Sequence, residues 1–565
     1  MRNPAVLPEV LPRTTSVLVV GGGPVGLTLS VLLSGYGVPH LLVEAHPGTS
    51  HHPKARGVSA RSMELFRRCG LEEEVRRAGL PAAQVHFYRG RDLVDPDFVR
   101  TGVAAEPGGP ERTPSPGLIC SQDALEPVLL RRARELAPDG VRFGFRLVSF
   151  AEQPDGAHDI GAHENGAREN GARDVGVLGH GVYATLEDRA TGERHTVRAD
   201  WLVGCDGAAS TVRETAGIPM EGPTGLGHYL SVRFEAPLGE VVADRASASY
   251  FLTAPGRGGF LAVDNDRHWI YQHPYDPEDA DVTALLTDHR RLAELVRDAA
   301  GVPGLPVTVH DTMTWRMDAR LAAAYRRSRV LLAGDAAHAV PPTGGHGMNT
   351  GLGDADNLAW KLAAVVAGTA GEALLDSYEA ERRPVARQVI DISLANSRAR
   401  SGYRIDDELL LTAAYRSTAV LDDPDAPDAP DAPALPPLDP DRKHPGGAPG
   451  TRLPHLRLSG PAGPASTLDL VGPGFTLLAP TGEAAKAEET DEAGQAFWRR
   501  QADTAVAAGL PVTVRPLPTE FAPWSGALLV RPDGHIAWRA PHPPAGRDTL
   551  LLTVLRRILS TAESR

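Results

Sequence analysis

Between Gly21 and Gly26 the chain reads GGGPVG, directly after the apolar run Ser16–Val20 and just before the apolar stretch Val25–Ser34. A strand that feeds a helix through G-x-G-x-x-G confines this segment to a βαβ unit. Gly21 allows the tight turn, Gly23 lets backbone approach a diphosphate, and Gly26 permits close helix–strand packing. The helix N-terminus adds free N–H groups and partial positive charge. His40–Glu44 reads as the second strand, and Glu44 ends it where a carboxylate can accept a hydrogen bond from a ribose hydroxyl. Alone, the glycine pattern also fits a structural turn; with both strands and Glu44 in place, it points to dinucleotide binding.

Charge and cysteine content narrow the partners. The net charge of −13 argues against nucleic acid, which needs a basic face. Cys69, Cys120 and Cys205 are too scattered for a disulfide framework or a CxxC pair, which fits a reducing cytoplasm. Residues 1–16 lack the apolar core of a signal peptide, and no apolar run reaches the roughly 18 residues that span a bilayer, so no membrane partner is expected. No metal-spaced His/Cys cluster and no Ser–His–Asp set stands out.

Two segments interrupt the α/β pattern. Residues 156–175 repeat GAHDI, GAHEN, GAREN and GARDV, which offer no apolar face and read as a disordered surface insertion. Residues 422–441, DDPDAPDAPDAPALPPLDPD, read as an extended Pro/Asp-rich linker. Before the linker, Ser62–Arg68 and Asp123–Leu136 read as helices, and residues 228–275 as aromatic-bearing strands. Val330–Ala333 reads as a buried strand and Asp354–Val366 as a helix.

Two more blocks complete the pattern: WLVGCDGAASTVR (Trp201–Arg213), with Asp206-Gly207 after a strand, and VLLAGDAAHAVPPTGGHGMNTG (Val330–Gly351), with Gly334-Asp335 after another. Together with the glycine turn, these resemble the FAD, DG and GD motifs of the flavin-dependent aromatic hydroxylases typified by p-hydroxybenzoate and phenol hydroxylases. The chain is most similar to the bacterial polyketide-tailoring branch, the tetracenomycin- and anthracycline-type hydroxylases. His52–Leu71, Ile119–Leu130, Ser466–Leu478 and Leu529–Arg539 extend the resemblance over nearly the whole chain.

The resemblance implies an α/β and α+β fold: a Rossmann-like FAD-binding domain of the GR2 type, an interleaved β-sheet substrate domain and a C-terminal thioredoxin-like domain. Residues 1–80, 119–220 and 316–421 would form the FAD-binding domain, the last carrying the GD motif and a helical segment. Residues 81–118 and 221–315 would form the substrate domain, and 442–565 the thioredoxin-like domain. With no cysteine after Cys205, that last domain cannot do dithiol chemistry, and a structural or dimer-forming role is expected, in a monomer or homodimer.

Site residues follow residue by residue. Gly21, Gly23, Gly26 and Glu44 fit the phosphate and ribose roles, and Gln122 a flavin-contacting carboxamide. Asp335 would bind a ribitol hydroxyl, with helix capping as its alternative. Gly347, Met348 and Asn349 would cradle the pyrimidine end of the isoalloxazine. His346 stands where the resemblance expects Gln or a bulky apolar residue. Lys54 takes the usual place of a phosphate-binding arginine, with Arg56 as its substitute, and a solvated surface role is open for both. Asp206 would support flavin and nicotinamide binding or only its own turn. Arg233, Tyr250, Tyr271 and His273 could line a substrate pocket or be ordinary sheet residues.

The implied enzyme is a monooxygenase with non-covalent FAD, NAD(P)H as transient reductant and O₂ as co-substrate. It would hydroxylate a polycyclic aromatic through a C4a-hydroperoxyflavin. The alternatives are Baeyer–Villiger oxygenation of a polycyclic ketone and a non-catalytic FAD-containing binding protein.

Overall fold

A computed structural model describes residues 11–52, 54–81, 86–102, 111–153, 180–279, 284–398, 406, 408–421, 447–458, 466–480, 491–517, 526–540 and 549–561. The pentapeptide insertion and the Pro/Asp-rich linker lie outside these residues. Among them, no helix is long and apolar enough to cross a membrane, and no group of three or more His, Cys, Asp or Glu could hold a metal ion.

The glycine turn sits where its spacing places it. Strand β1 (Thr14–Val20) enters helix α1 (Pro24–Gly35), which returns to β2 (His40–Glu44). Both strands are parallel, as a crossover helix requires, and β1 also pairs in parallel with β3 (Arg194–Gly204). Val330–Leu332 and Val141–Phe143 extend the parallel run on its two sides, within an eight-stranded sheet. Val17, Leu18, Leu41, Leu42, Leu202 and Leu331 are fully buried, as expected of a sheet covered on both faces.

The second sheet has seven strands and is mostly antiparallel. Its order is β6 (Thr308–Met317), β4 (Gly227–Glu235), β5 (His268–Pro274), then Gly259–Ala262, Ser249–Leu252, His86–Gly90 and Val99–Gly102. The early strands at 86–102 thus join strands from beyond residue 226, and β6 runs past the expected boundary at 315 to Met317. Leu230, Val232 and Phe234 point to one face, where they pack on Leu292 and Val296 of helix α2 (His289–Ala300).

Helix α3 spans Gly347–Val366, starting seven residues before the expected Asp354. Its first turns are rich in glycine, which lowers helix propensity, but the glycines answer to packing. A Cβ on Gly351 would lie 2.6 Å from Val25 Cγ2 and 2.9 Å from Gly334 Cα. Helix α4 (Asp376–Arg398) packs beside it.

The C-terminal sheet of four strands has Phe475–Pro480 between the parallel Val512–Leu517 and the antiparallel Ala527–Val530, which pairs with Ile536–Ala540. Trp360 of α3 joins its core beside Phe475. A polar cluster also crosses this boundary. Glu381 of α4 accepts from Arg531 Nη1 at 2.6 Å and Nη2 at 2.9 Å, from Lys361 Nζ at 2.8 Å and from Asn357 Nδ2 at 2.6 Å, all buried. Burial alone would raise the Glu381 carboxyl; Arg531 and Lys361 outweigh it and hold the carboxyl well below its usual range.

Candidate active site

One cavity of about 2110 Å³ lies between the two large sheets. That is at least twice the roughly 300–1,000 Å³ of an ordinary small-molecule pocket. It begins at the glycine turn and ends on the exposed face of the seven-stranded sheet, with Gly21, Glu44, Asp335, Met348, Tyr229 and Trp315 all on its wall.

At the turn, each glycine has its own physical reason. Gly21 has φ +112°, and a Cβ there would lie 2.3 Å from the Cys205 carbonyl oxygen. A Cβ on Gly26 would lie 2.0 Å from the Gly21 oxygen, so Gly26 serves helix–strand packing and does not line the cavity. Gly23 differs: a Cβ there would meet only Glu126 Oε1, at 4.0 Å. The open space above Gly23 is a cradle at an α1 N-terminus that no side chain caps, which fits a diphosphate.

Two charged groups face the cavity without a partner among the described residues. Lys54 Nζ makes no hydrogen bond or ion pair there, and neither does the Asp335 carboxylate. Asp335 is exposed on the cavity wall, and desolvation by the surrounding protein raises its carboxyl above the usual range. The capping alternative for Asp335 is not what the geometry shows. The Gly334 amide donates instead to Asp354 at 3.1 Å, and His338 Nε2 and Arg382 Nε hold the same carboxylate at 2.7 and 2.9 Å.

Other expected site residues are already committed. Arg56 is buried and donates to the Ala248 carbonyl at 2.8 Å and to that of Ala262. Burial pushes its guanidinium down to about 10. Arg56 therefore ties the glycine-turn side to the seven-stranded sheet and is not free to replace Lys54 at a phosphate. Glu44 accepts from the Gly22 amide at 2.7 Å and the His46 amide at 2.8 Å, on the cavity wall. Gln122 Nε2 donates to Glu126 Oε1 at 2.6 Å and also lines the cavity. Asp206 accepts from Ser210 Oγ and from the Val212 amide, so its carboxylate supports its own turn while the residue lines the cavity. Asn349 spends its side chain on Ser59, Ser62, Gly57 and Gly345, which fixes the backbone of Gly347 and Met348 at the cavity.

The substrate expectations need correction. Tyr271 and His273 pair with Val232 and Leu230 and so lie on the face covered by α2, away from the cavity. The Tyr271 hydroxyl donates to the Arg257 carbonyl at 2.6 Å, and burial pushes its phenol upward. The Tyr250 ring also lies in that core, its hydroxyl donating to Asn265 Oδ1 at 2.9 Å, although the residue touches the cavity wall. Arg233 is outside the wall and donates to the His51 carbonyl at 2.9 Å. Side chains alternate along a strand, so the cavity face belongs to the residues in between: Tyr229 and Ser231 of β4, Gln272 of β5, and Met313 and Trp315 of β6. Trp315 stacks on Tyr229 with ring centroids 4.4 Å apart and planes 15° apart, and its Nε1 donates to Ser231 Oγ at 3.0 Å. The apolar alternation Leu230–Val232–Phe234 was the available signal, since it marks the opposite face as core.

The wall thus joins a polar cradle, with one free cation and one free carboxylate among the described residues, to an aromatic ledge. The residues present fit FAD together with a flat apolar ligand.

Comparison with known proteins agrees. Residues 14–170 and 162–393 match the FAD binding domain family, and residues 446–562 match the C-terminal region of aromatic-ring hydroxylases. The tetracenomycin A2 monooxygenase-dioxygenase of Streptomyces glaucescens is 36% identical over 586 residues, covering 96% of each chain. The solved ternary complex of aklavinone-11 hydroxylase with FAD and aklavinone superposes with a TM-score of 0.79 at 34% identity, covering 97% of this chain and 99% of that one. The flavin-dependent monooxygenase PieE, solved with FAD and substrate, superposes with a TM-score of 0.80 at 30% identity, covering 98% and 100%. By matches that run almost end to end, the chain belongs to the FAD-dependent aromatic-ring hydroxylases and is an FAD-dependent aromatic monooxygenase.

Proposed function

We propose that this monooxygenase uses NAD(P)H and O₂ to hydroxylate a polycyclic aromatic intermediate of the polyketide type. The observation that carries the reading is the continuity of one cavity from the Gly23 cradle to the Trp315–Tyr229 ledge. A flat fused-ring ligand matches that ledge in shape and gains by stacking. Relatives whose names specify tetracenomycin and aklavinone add weight to the same class.

FAD, when bound, supplies the oxygen-activating redox chemistry. The chain's own residues bind, orient and exclude water. Gly21, Gly23 and the α1 N-terminus receive the diphosphate, with Lys54 as its cation. Glu44 and Asp335 hold ribose and ribitol hydroxyls, and the Gln122 carboxamide contacts the cofactor from the cavity wall. The Gly347–Asn349 backbone meets the ring. Asp206 acts through the turn it stabilises. Met313, Trp315 and Tyr229 hold the aromatic substrate in a wall that keeps bulk water from the reacting centre. The described strands within 86–102 and 227–317 form the substrate domain, and the sheet built on β1, β2 and β3 belongs to the cofactor domain.

Turnover under ¹⁸O₂ with candidate polycyclic phenols and NADPH or NADH, followed by mass spectrometry, tests this. One labelled oxygen on an aromatic carbon is expected, with consumption of reduced nicotinamide. A labelled lactone would replace hydroxylation by Baeyer–Villiger chemistry, and no consumption of reductant would overturn the reading.

A further inference from the structure

His346 stands at the cap position of α3, immediately before Gly347, and is only 3% exposed. It lines the cavity, yet its ring nitrogens have no hydrogen-bond partner among the described residues, and neither is sealed away from the cavity space. The ring edge lies beside Gly344, where a Cβ would come 3.0 Å from its Cδ2 and 3.4 Å from its Nε2, so glycine leaves the space the ring uses. With no partner among the described residues and with access to the cavity, the ring nitrogens are left to pair with what occupies that cavity.

The charge state narrows the chemistry. Burial pushes the imidazole down to about 4, outweighing the opposing pull of Asp406. The positive end of α3 also disfavours an imidazolium. At neutral pH His346 is therefore an uncharged N–H donor, and a neutral imidazole at a helix N-terminus can donate to a carbonyl oxygen without leaving a charge in the site.

We propose that His346 is a positioning residue that donates a hydrogen bond to a ring carbonyl oxygen of the bound ligand, either a quinone-type carbonyl of the substrate or a carbonyl of the cofactor ring. The substrate arm rests on the polycyclic reading above; the cofactor arm does not.

The test uses two titrations of wild type, His346→Leu and His346→Gln. Alizarin, a dihydroxyanthraquinone, is titrated into FAD-loaded enzyme, and FAD into apoprotein. His346→Leu is expected to weaken one of the two by about tenfold, and His346→Gln, which keeps an N–H donor, to restore it to within about threefold. Loss confined to alizarin assigns the substrate carbonyl; loss in the FAD titration assigns the cofactor carbonyl. Unchanged affinities in both, or a Gln variant as weak as Leu, overturn the proposal. If wild type does not bind alizarin, the polycyclic reading fails and the FAD titration alone decides for His346. Should the Leu variant not fold, His346→Phe removes the same donor while keeping a ring.

Discussion

Arg531 and Glu381, 150 positions apart in sequence, meet in a two-pronged contact with both side chains fully buried. Removing one partner leaves an uncompensated charge in low dielectric, at a cost of about 3–5 kcal/mol. Arg531→Ala should lower the denaturant midpoint by a corresponding amount, and Glu381→Gln should do so less, because it keeps an acceptor. A midpoint unmoved in Arg531→Ala would mean that Lys361 and its neighbouring donors satisfy Glu381 without Arg531.

Gly23 and Gly26 should separate binding from folding. Gly23→Ala adds a methyl to the open cradle, so it is expected to weaken FAD binding while thermal unfolding of the apoprotein stays near wild type. Gly26→Ala drives a Cβ into the Gly21 carbonyl, and overpacking of this kind costs about 1–3 kcal/mol or more. Reversed outcomes would show that the cradle has been placed at the wrong glycine.

Asp335→Ala should reduce FAD affinity by about tenfold, since a site built to pair a hydroxyl with a carboxylate loses that hydrogen bond. Flavin fluorescence quenching during titration of the apoprotein reads this directly. Unchanged affinity would move Asp335 out of the cofactor site.

Trp315→Leu should raise KM for a polycyclic substrate about fivefold, the effect of losing roughly 1 kcal/mol of stacking, with FAD content unchanged. Tyr271→Phe, on the other face, should leave KM alone. Steady-state kinetics on the two variants compare the faces of the sheet in one experiment.

His346 also gives a pH dependence. Its pKa in the fold, about 4, lies below the ordinary 6.5, so between those values the unfolded chain binds a proton that the folded chain does not. Stability therefore falls on acidification through this window, by up to roughly 1.4 kcal/mol per pH unit. Asp335, whose carboxyl is raised, works in the opposite sense, so the net curve mixes both. The difference in melting temperature between wild type and His346→Gln isolates the histidine, and it should shift against wild type as pH drops from 7 to 5.

The glycine turn, β1, β2 and the strand before Gly334 were legible because each is a local pattern: a period, a turn residue, an acidic strand end. The start of α3 was not, since Gly347, Gly351 and Gly353 read as loop until Val25, Gly334 and Arg382 are seen to press against that helix. Aromatic content located the seven-stranded sheet but not which of its faces meets the cavity. Tyr271 and His273 differ from Gln272 by one position, and only burial by α2 decides which side is core. The Lys361–Glu381–Arg531 cluster carries no local signal, because its members come from two helices and a strand end that meet only in the finished fold. Arg56 likewise read as a surface or phosphate cation because its carbonyl partners lie about 200 residues away.

The one-residue alternation along β4, β5 and β6 has a consequence for how such a chain can diversify. Leu230, Val232 and Phe234 hold the sheet to α2, while Tyr229, Ser231, Gln272, Met313 and Trp315 line the cavity. Selection for a new ring system can thus act on every second codon of these strands and leave the scaffold's hydrophobic register untouched. A mutant library confined to those five positions should explore ligand preference at little expense in folding yield.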